Sequence, residues 1–156
     1  MGVWISTRPD INIPGIINAQ EQEAHITLLY LDKKAHPDND LIFGMVKEWL
    51  TEATKPRQAV AYLNGLATWI VPRTEEPYVL AATITSPALH NWRNKLAEQI
   101  TDTGVKISKS FVFNPHITLG RSRSPYLKVP VLYQQERVVL NNLYISNGSS
   151  HHERIW

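Results

Sequence analysis

Glu23-Ala24-His25-Ile26-Thr27-Leu28-Leu29-Tyr30-Leu31-Asp32 decides the reading of this chain, because its tetrad His-Ile-Thr-Leu returns at residues 116–119. At this composition about 0.004 copies of the tetrad are expected by chance, and two occur. The looser pattern His-x-Thr carries far less weight, since Thr is a favoured strand residue. Residues 23–32 hold no Gly or Pro and few polar side chains, which predicts a largely buried central strand. In a strand, side chains two apart share a face. His25 and Thr27 therefore project together, as do His116 and Thr118, each pair setting a proton-transfer group beside a hydroxyl.

The second copy lies in Phe111-Val112-Phe113-Asn114-Pro115-His116-Ile117-Thr118-Leu119-Gly120-Arg121. Proline cannot donate to a sheet ladder, so Pro115 predicts a bulge, an edge or a strand start. Two His-x-Thr motifs in one chain, the second followed by Leu119-Gly120-Arg121, resemble the 2H phosphoesterases, a family that includes LigT-like 2′-5′ RNA ligases and 2′,3′-cyclic phosphodiesterases. The resemblance covers most of the chain in layout and two short blocks in residue identity. Asp32 departs from it, standing where members often carry glycine after the first strand.

That resemblance implies an α+β, bilobal, pseudo-two-fold fold, with antiparallel sheets around a central cleft and helices on the outside. Residues 1–156 would form one such domain, its two lobes meeting near 72–77. It implies His25 and His116 as catalytic acid and base, and Thr27, Thr118 and Arg121 as the groups that hold the substrate phosphate. No cofactor and no metal are implied. The substrate would be a nucleotide, a short RNA or a cyclic oligonucleotide, the last being the class used by members that look like phage anti-defence enzymes. Reverse ligation of 2′-5′ ends is open to the same pair of histidines. Tyr30, Tyr62, Trp69, Tyr126 and Trp156 are available to stack a base.

The rest of the chain bounds these expectations. The 156 residues, 43% of them hydrophobic, suffice for one core. A net charge of +2 suits a small anionic ligand and does not call for duplex DNA. The absence of cysteine excludes disulfides and thiolate metal sites. Met1–Asp10 lacks a basic segment followed by an apolar core, and no run approaches membrane-spanning length. A soluble cytoplasmic protein with no membrane partner is expected. His151-His152-Glu153 could suggest a metal, but adjacent side chains diverge, so a tail or loop is the simpler reading.

Along the chain, a strand is expected near Val3–Ser6, then a Pro- and Gly-punctuated loop through Asn12-Ile13-Pro14-Gly15. A helix capped by Asp38 or Asn39 should run to about Ala53, burying Leu41, Ile42, Met45, Val46, Trp49 and Leu50, with Pro56 beyond it. Residues 58–71 read as extended with a bend at Gly65, and Tyr78–Thr85 as a strand. Ser86-Pro87 opens a second helix carrying Leu89, Trp92, Leu96 and Ile100, and Gly104 ends it. After the Pro125–Pro130 loop a last strand spans about Arg137–Ile145. A plain ferredoxin-like domain would use similar elements. Two rival functions remain: a non-catalytic nucleotide- or RNA-binding module on the same fold, and a structural protein whose two His-Ile-Thr segments lie in a core.

Overall fold

Asp38 and Ser86 start the two helices as their side chains predict. Asp38 Oδ1 accepts from the Leu41 N–H at 3.2 Å and opens α1 (Asn39–Glu52). Ser86 Oγ accepts from the Leu89 N–H at 3.0 Å and opens α2 (Pro87–Asp102), whose first residue is a proline that has no N–H to leave unpaired. Each such cap is worth about 1 kcal/mol. Gly104 follows α2 at φ +90°, a left-handed conformation that glycine adopts without strain. In the computed structural model the described residues are 2–10, 24–53, 58–125 and 135–156, so the expected loop at 12–15, Pro56 and Tyr126 lie outside them. Among the described residues no helix is long and apolar enough to cross a membrane.

The strands in chain order are β1 (Val3–Thr7), β2 (Ile26–Tyr30), β3 (Ala59–Ile70), β4 (Tyr78–Thr85), β5 (His116–Ser122), β6 (Glu136–Leu140), β7 (Tyr144–Asn147) and β8 (His151–Arg154). They form two four-stranded antiparallel sheets, ordered β2-β1-β7-β8 and β5-β4-β3-β6. One apolar cluster joins both sheets to both helices, with Val3, Ile5, Leu63, Leu80, Ile117 and Ile145 among its strand residues. Ile42, Val46 and Leu50 of α1, and Leu89, Trp92, Leu96 and Ile100 of α2, close it from the helix side.

Several expectations are corrected here. β2 is an edge strand, not a central one. It is buried because it abuts β5, the edge of the other sheet, so Ile26 and Leu28 are shielded where an edge would normally be wet. The lobe boundary expected at 72–77 falls inside the β3–β4 hairpin; the chain changes sheets between α1 and β3 and again between β6 and β7, so its last strands return to the first sheet. The single strand expected over Arg137–Ile145 is therefore two strands in different sheets. Asn142 marks the break, with Oδ1 accepting from the Arg8 N–H at 2.8 Å and Nδ2 donating to the Arg8 carbonyl at 2.9 Å. His151–Glu153 is not a tail: it belongs to β8. Leu41 and Met45 are 62% and 55% exposed, so the buried stripe of α1 is narrower than its apolar residues suggest.

Both motif strands carry a bulge at the same motif position. On β2 the register passes from Thr27 opposite Ser6 to Leu29 opposite Ile5, leaving Leu28 as the extra residue. On β5 it passes from Thr118 opposite Ala81 to Gly120 opposite Leu80, leaving Leu119 extra. An extra residue reverses the facing of everything beyond it. Leu28 and Leu29 are consequently both buried, as are Leu119 and Gly120.

Candidate active site

The faces turned away from the helices bear the residues singled out in the sequence. On β5 and its neighbours, His116 lies opposite Thr83, Thr118 opposite Ala81 and Arg121 opposite Val79. Directly paired residues point the same way, and Trp69 pairs with Val79 while its ring meets His116 at 4.8 Å, so all of these share one face. On the other sheet, Thr27 lies opposite Ser6 and Tyr30 opposite Trp4, and the Trp4 ring meets His25 at 5.0 Å. Without the bulges, Arg121 and Tyr30 would face the core. Each is the fifth residue after its histidine, so the two strands present the same triplet: His, Thr and a fifth side chain.

His116 Nδ1 lies 2.7 Å from the Asn114 carbonyl oxygen. A carbonyl only accepts, so Nδ1 is the donor of this bond and Nε2 is the nitrogen left for another partner. Opposite it, Thr83 Oγ1 donates to Asn64 Oδ1 at 2.7 Å, and Asn64 Nδ2 donates in turn to Thr85. A methyl group at Gly65 would stand 3.2 Å from that Thr83 oxygen, so glycine leaves this network room. His116, His25, Thr27 and Thr118 are half-buried, and Arg121 is exposed.

Arg93 ties the two motifs together from behind. Its Nε donates to the carbonyl of Leu28, the bulge residue of β2, at 3.2 Å, and its guanidinium lies 5.7 Å from the ring of Phe113, just ahead of Pro115-His116. His90 meets that same ring at 5.0 Å. α2, a helix packed on the second sheet, thus holds a backbone group of the first.

The base-stacking candidates separate. Tyr30 and Trp69 stand on the cleft faces, and Tyr62, 43% exposed, is on the same face of β3 as Thr85 and Arg137. Trp156 does not face the cleft: it stacks on Trp92 of α2 at 5.8 Å and packs against the core. Sequence reasoning passed over Trp4, Thr83 and Arg93. The pattern of Trp4-Ile5-Ser6 did set Trp4 opposite the core residue Ile5; nothing in the chain announces Arg93. In β8, His152 turns to the cleft face, with Nδ1 2.6 Å from Ser146 Oγ and its ring 5.6 Å from Trp4. Glu153 turns the other way, to Lys47 of α1 at 2.8 Å, whose hydrogen bond holds its carboxyl below the usual range. His152 is thereby split from His151, which shares the face of Glu153 and lies 3.7 Å from its carboxylate.

By overall fold the chain is similar to TT0787 of Thermus thermophilus, with a TM-score of 0.60 and 18% identity over 100% of this chain and 96% of that one. It is also similar to a phosphoesterase of known structure, with a TM-score of 0.55 and 16% identity over 98% of this chain and 92% of that one. The chain shares its overall fold with these two proteins: two antiparallel sheets with two helices, an α+β arrangement. No family model and no curated protein matches the sequence. In this fold the two His-x-Thr strands, β2 and β5, are the adjoining edges of the two sheets.

Proposed function

We propose that the protein is a phosphodiesterase acting on a nucleotide by two-histidine acid/base catalysis, with no metal in the reaction. The observation that carries this reading is the matched pair of bulged edge strands, each presenting His and Thr on the cleft face. Imidazole titrates near neutrality, so one neutral histidine can accept a proton while the other, protonated, donates one. On a 2′,3′-cyclic phosphate, the base takes a proton from water as its oxygen bonds to phosphorus. The acid delivers a proton to the departing ribose oxygen as its bond to phosphorus breaks. Thr27 and Thr118 donate to the non-bridging oxygens, and Arg121 balances their charge.

Three substrate classes suit this apparatus: 2′,3′-cyclic phosphates, 2′-5′ linkages and cyclic oligonucleotide signals. The test is a turnover assay with a chelator present, offering nucleoside 2′,3′-cyclic phosphates, 2′-5′ dinucleotides and 3′-5′ cyclic dinucleotides, with product identification. Turnover of one class by wild type is expected, and the product names the bond cleaved. Tight binding of these compounds without turnover would instead favour a non-catalytic binding module.

A further inference from the structure

We propose that a cationic pocket beside the far end of β2 binds a second phosphate of the substrate, so that the preferred substrate is a dinucleotide or longer and not a mononucleotide. This rests on the phosphodiesterase reading. The pocket, of about 610 Å³, is lined by Lys33, Lys34, Lys109, Ser108, Ser110 and Phe111. That volume is enough for a nucleotide-sized group.

Local structure turns the lysines to this use. Asp32 also borders the pocket, but its Oδ1 accepts from the N–H groups of Lys34 and Ala35 at 2.9 and 3.3 Å, fixing the turn that carries Lys33 and Lys34. The stem of Lys33 lies along Gly2. Among the described residues none of the three lysines is paired with a carboxylate. Ser108 and Ser110 bond to each other at 2.9 Å, and a hydroxyl pair so joined keeps further bonding capacity for an anion. The Ser108 N–H donates to the Tyr30 carbonyl at 2.7 Å, which fastens this wall to the end of β2.

The pocket continues the cleft. From His25 a row of rings runs through Trp4 at 5.0 Å, Tyr30 at a further 6.2 Å and Phe111 at 5.0 Å beyond that. Tyr30 and Phe111 border the pocket themselves. A phosphate held by Thr27 and Thr118 and another held by the lysines would thus flank an aromatic surface, the sequence of groups that a dinucleotide presents.

The experiment compares substrates that differ by one 5′-phosphate: nucleoside 2′,3′-cyclic phosphates with and without it, and 2′-5′ dinucleotides with and without it, alongside dinucleotides with a 2′,3′-cyclic end. Wild type should show kcat/KM about tenfold higher for the partner with the extra phosphate, as one good charge-assisted contact allows. That advantage should fall about fivefold for a tenfold rise in salt. The Lys33→Gln/Lys34→Gln/Lys109→Gln variant should lose it and keep rates on the one-phosphate substrates within about twofold. An extra phosphate that brings wild type no gain, or a gain the variant retains, overturns the subsite. No turnover of any of these substrates by wild type overturns the phosphodiesterase reading, and the subsite with it.

Discussion

At the Nδ1 of His116 a backbone carbonyl fixes where the ring proton sits, which leaves Nε2 as the nitrogen the proposed acid/base step would use. Replacing His116 by Asn should therefore leave the fold intact and lower kcat by about 10²–10⁴-fold, checked by steady-state kinetics alongside circular dichroism. Thr27→Val and Thr118→Val keep the shape of a strand residue and remove a hydroxyl that faces the cleft. Each is expected to lower kcat by about 10²-fold with little change in stability, since both residues are half-buried. That His25 and Thr27, and His116 and Thr118, share a face was legible in the sequence, because a spacing of two in a strand fixes it. Arg121 and Tyr30 were not legible in this way: strict alternation sends them to the core, and only the bulge returns them. Leu28-Leu29 was the available sign, two adjacent apolar residues in a strand whose next position, Tyr30, is half-buried on the opposite face.

A bulge frees a carbonyl as well as re-aiming side chains, and α2 supplies its partner through Arg93. Arg93→Met retains a stem against Phe113 and loses the donor. Stability should drop by about 1–3 kcal/mol in urea unfolding, with Arg93→Lys recovering part of it. β8 is held to α1 in a different manner, by Lys47 on Glu153. The carboxyl sits below its ordinary value of 4.5, so this contribution is present above that value and is lost as pH falls through the lowered one. Lys47→Ala should return the Glu153 titration, followed by NMR, towards 4.5. The helices and β4 could be placed from their caps and prolines alone. β8 could not, because four polar residues acquire strand structure only from the neighbour they pair with, β7.

For the molecule as a whole, the return of β7 and β8 to the first sheet means that the first lobe is built from both ends of the chain, while the second, from β3 to β6, is contiguous. Removing residues 144–156 would leave β1 and β2 as an isolated two-stranded ribbon, which is marginal in water. That truncation should abolish cooperative unfolding of the entire protein, followed by circular dichroism, and not merely loosen its end. Adjacent edges, shared by two sheets, also explain why β2 looked like a central strand from its sequence: burial of an edge depends on a partner distant in the chain. The same adjacency underlies the proposal that His25 and His116 act on one phosphate as a single unit. The direct measurement is kcat for wild type, His25→Ala, His116→Ala and the double variant, with chelator present and folds verified. Groups that work as a unit are non-additive, so each single variant should lose about 10³-fold or more and the double variant little beyond that. A folded single variant that turns over at the wild-type rate, or losses that multiply in the double variant, would contradict it.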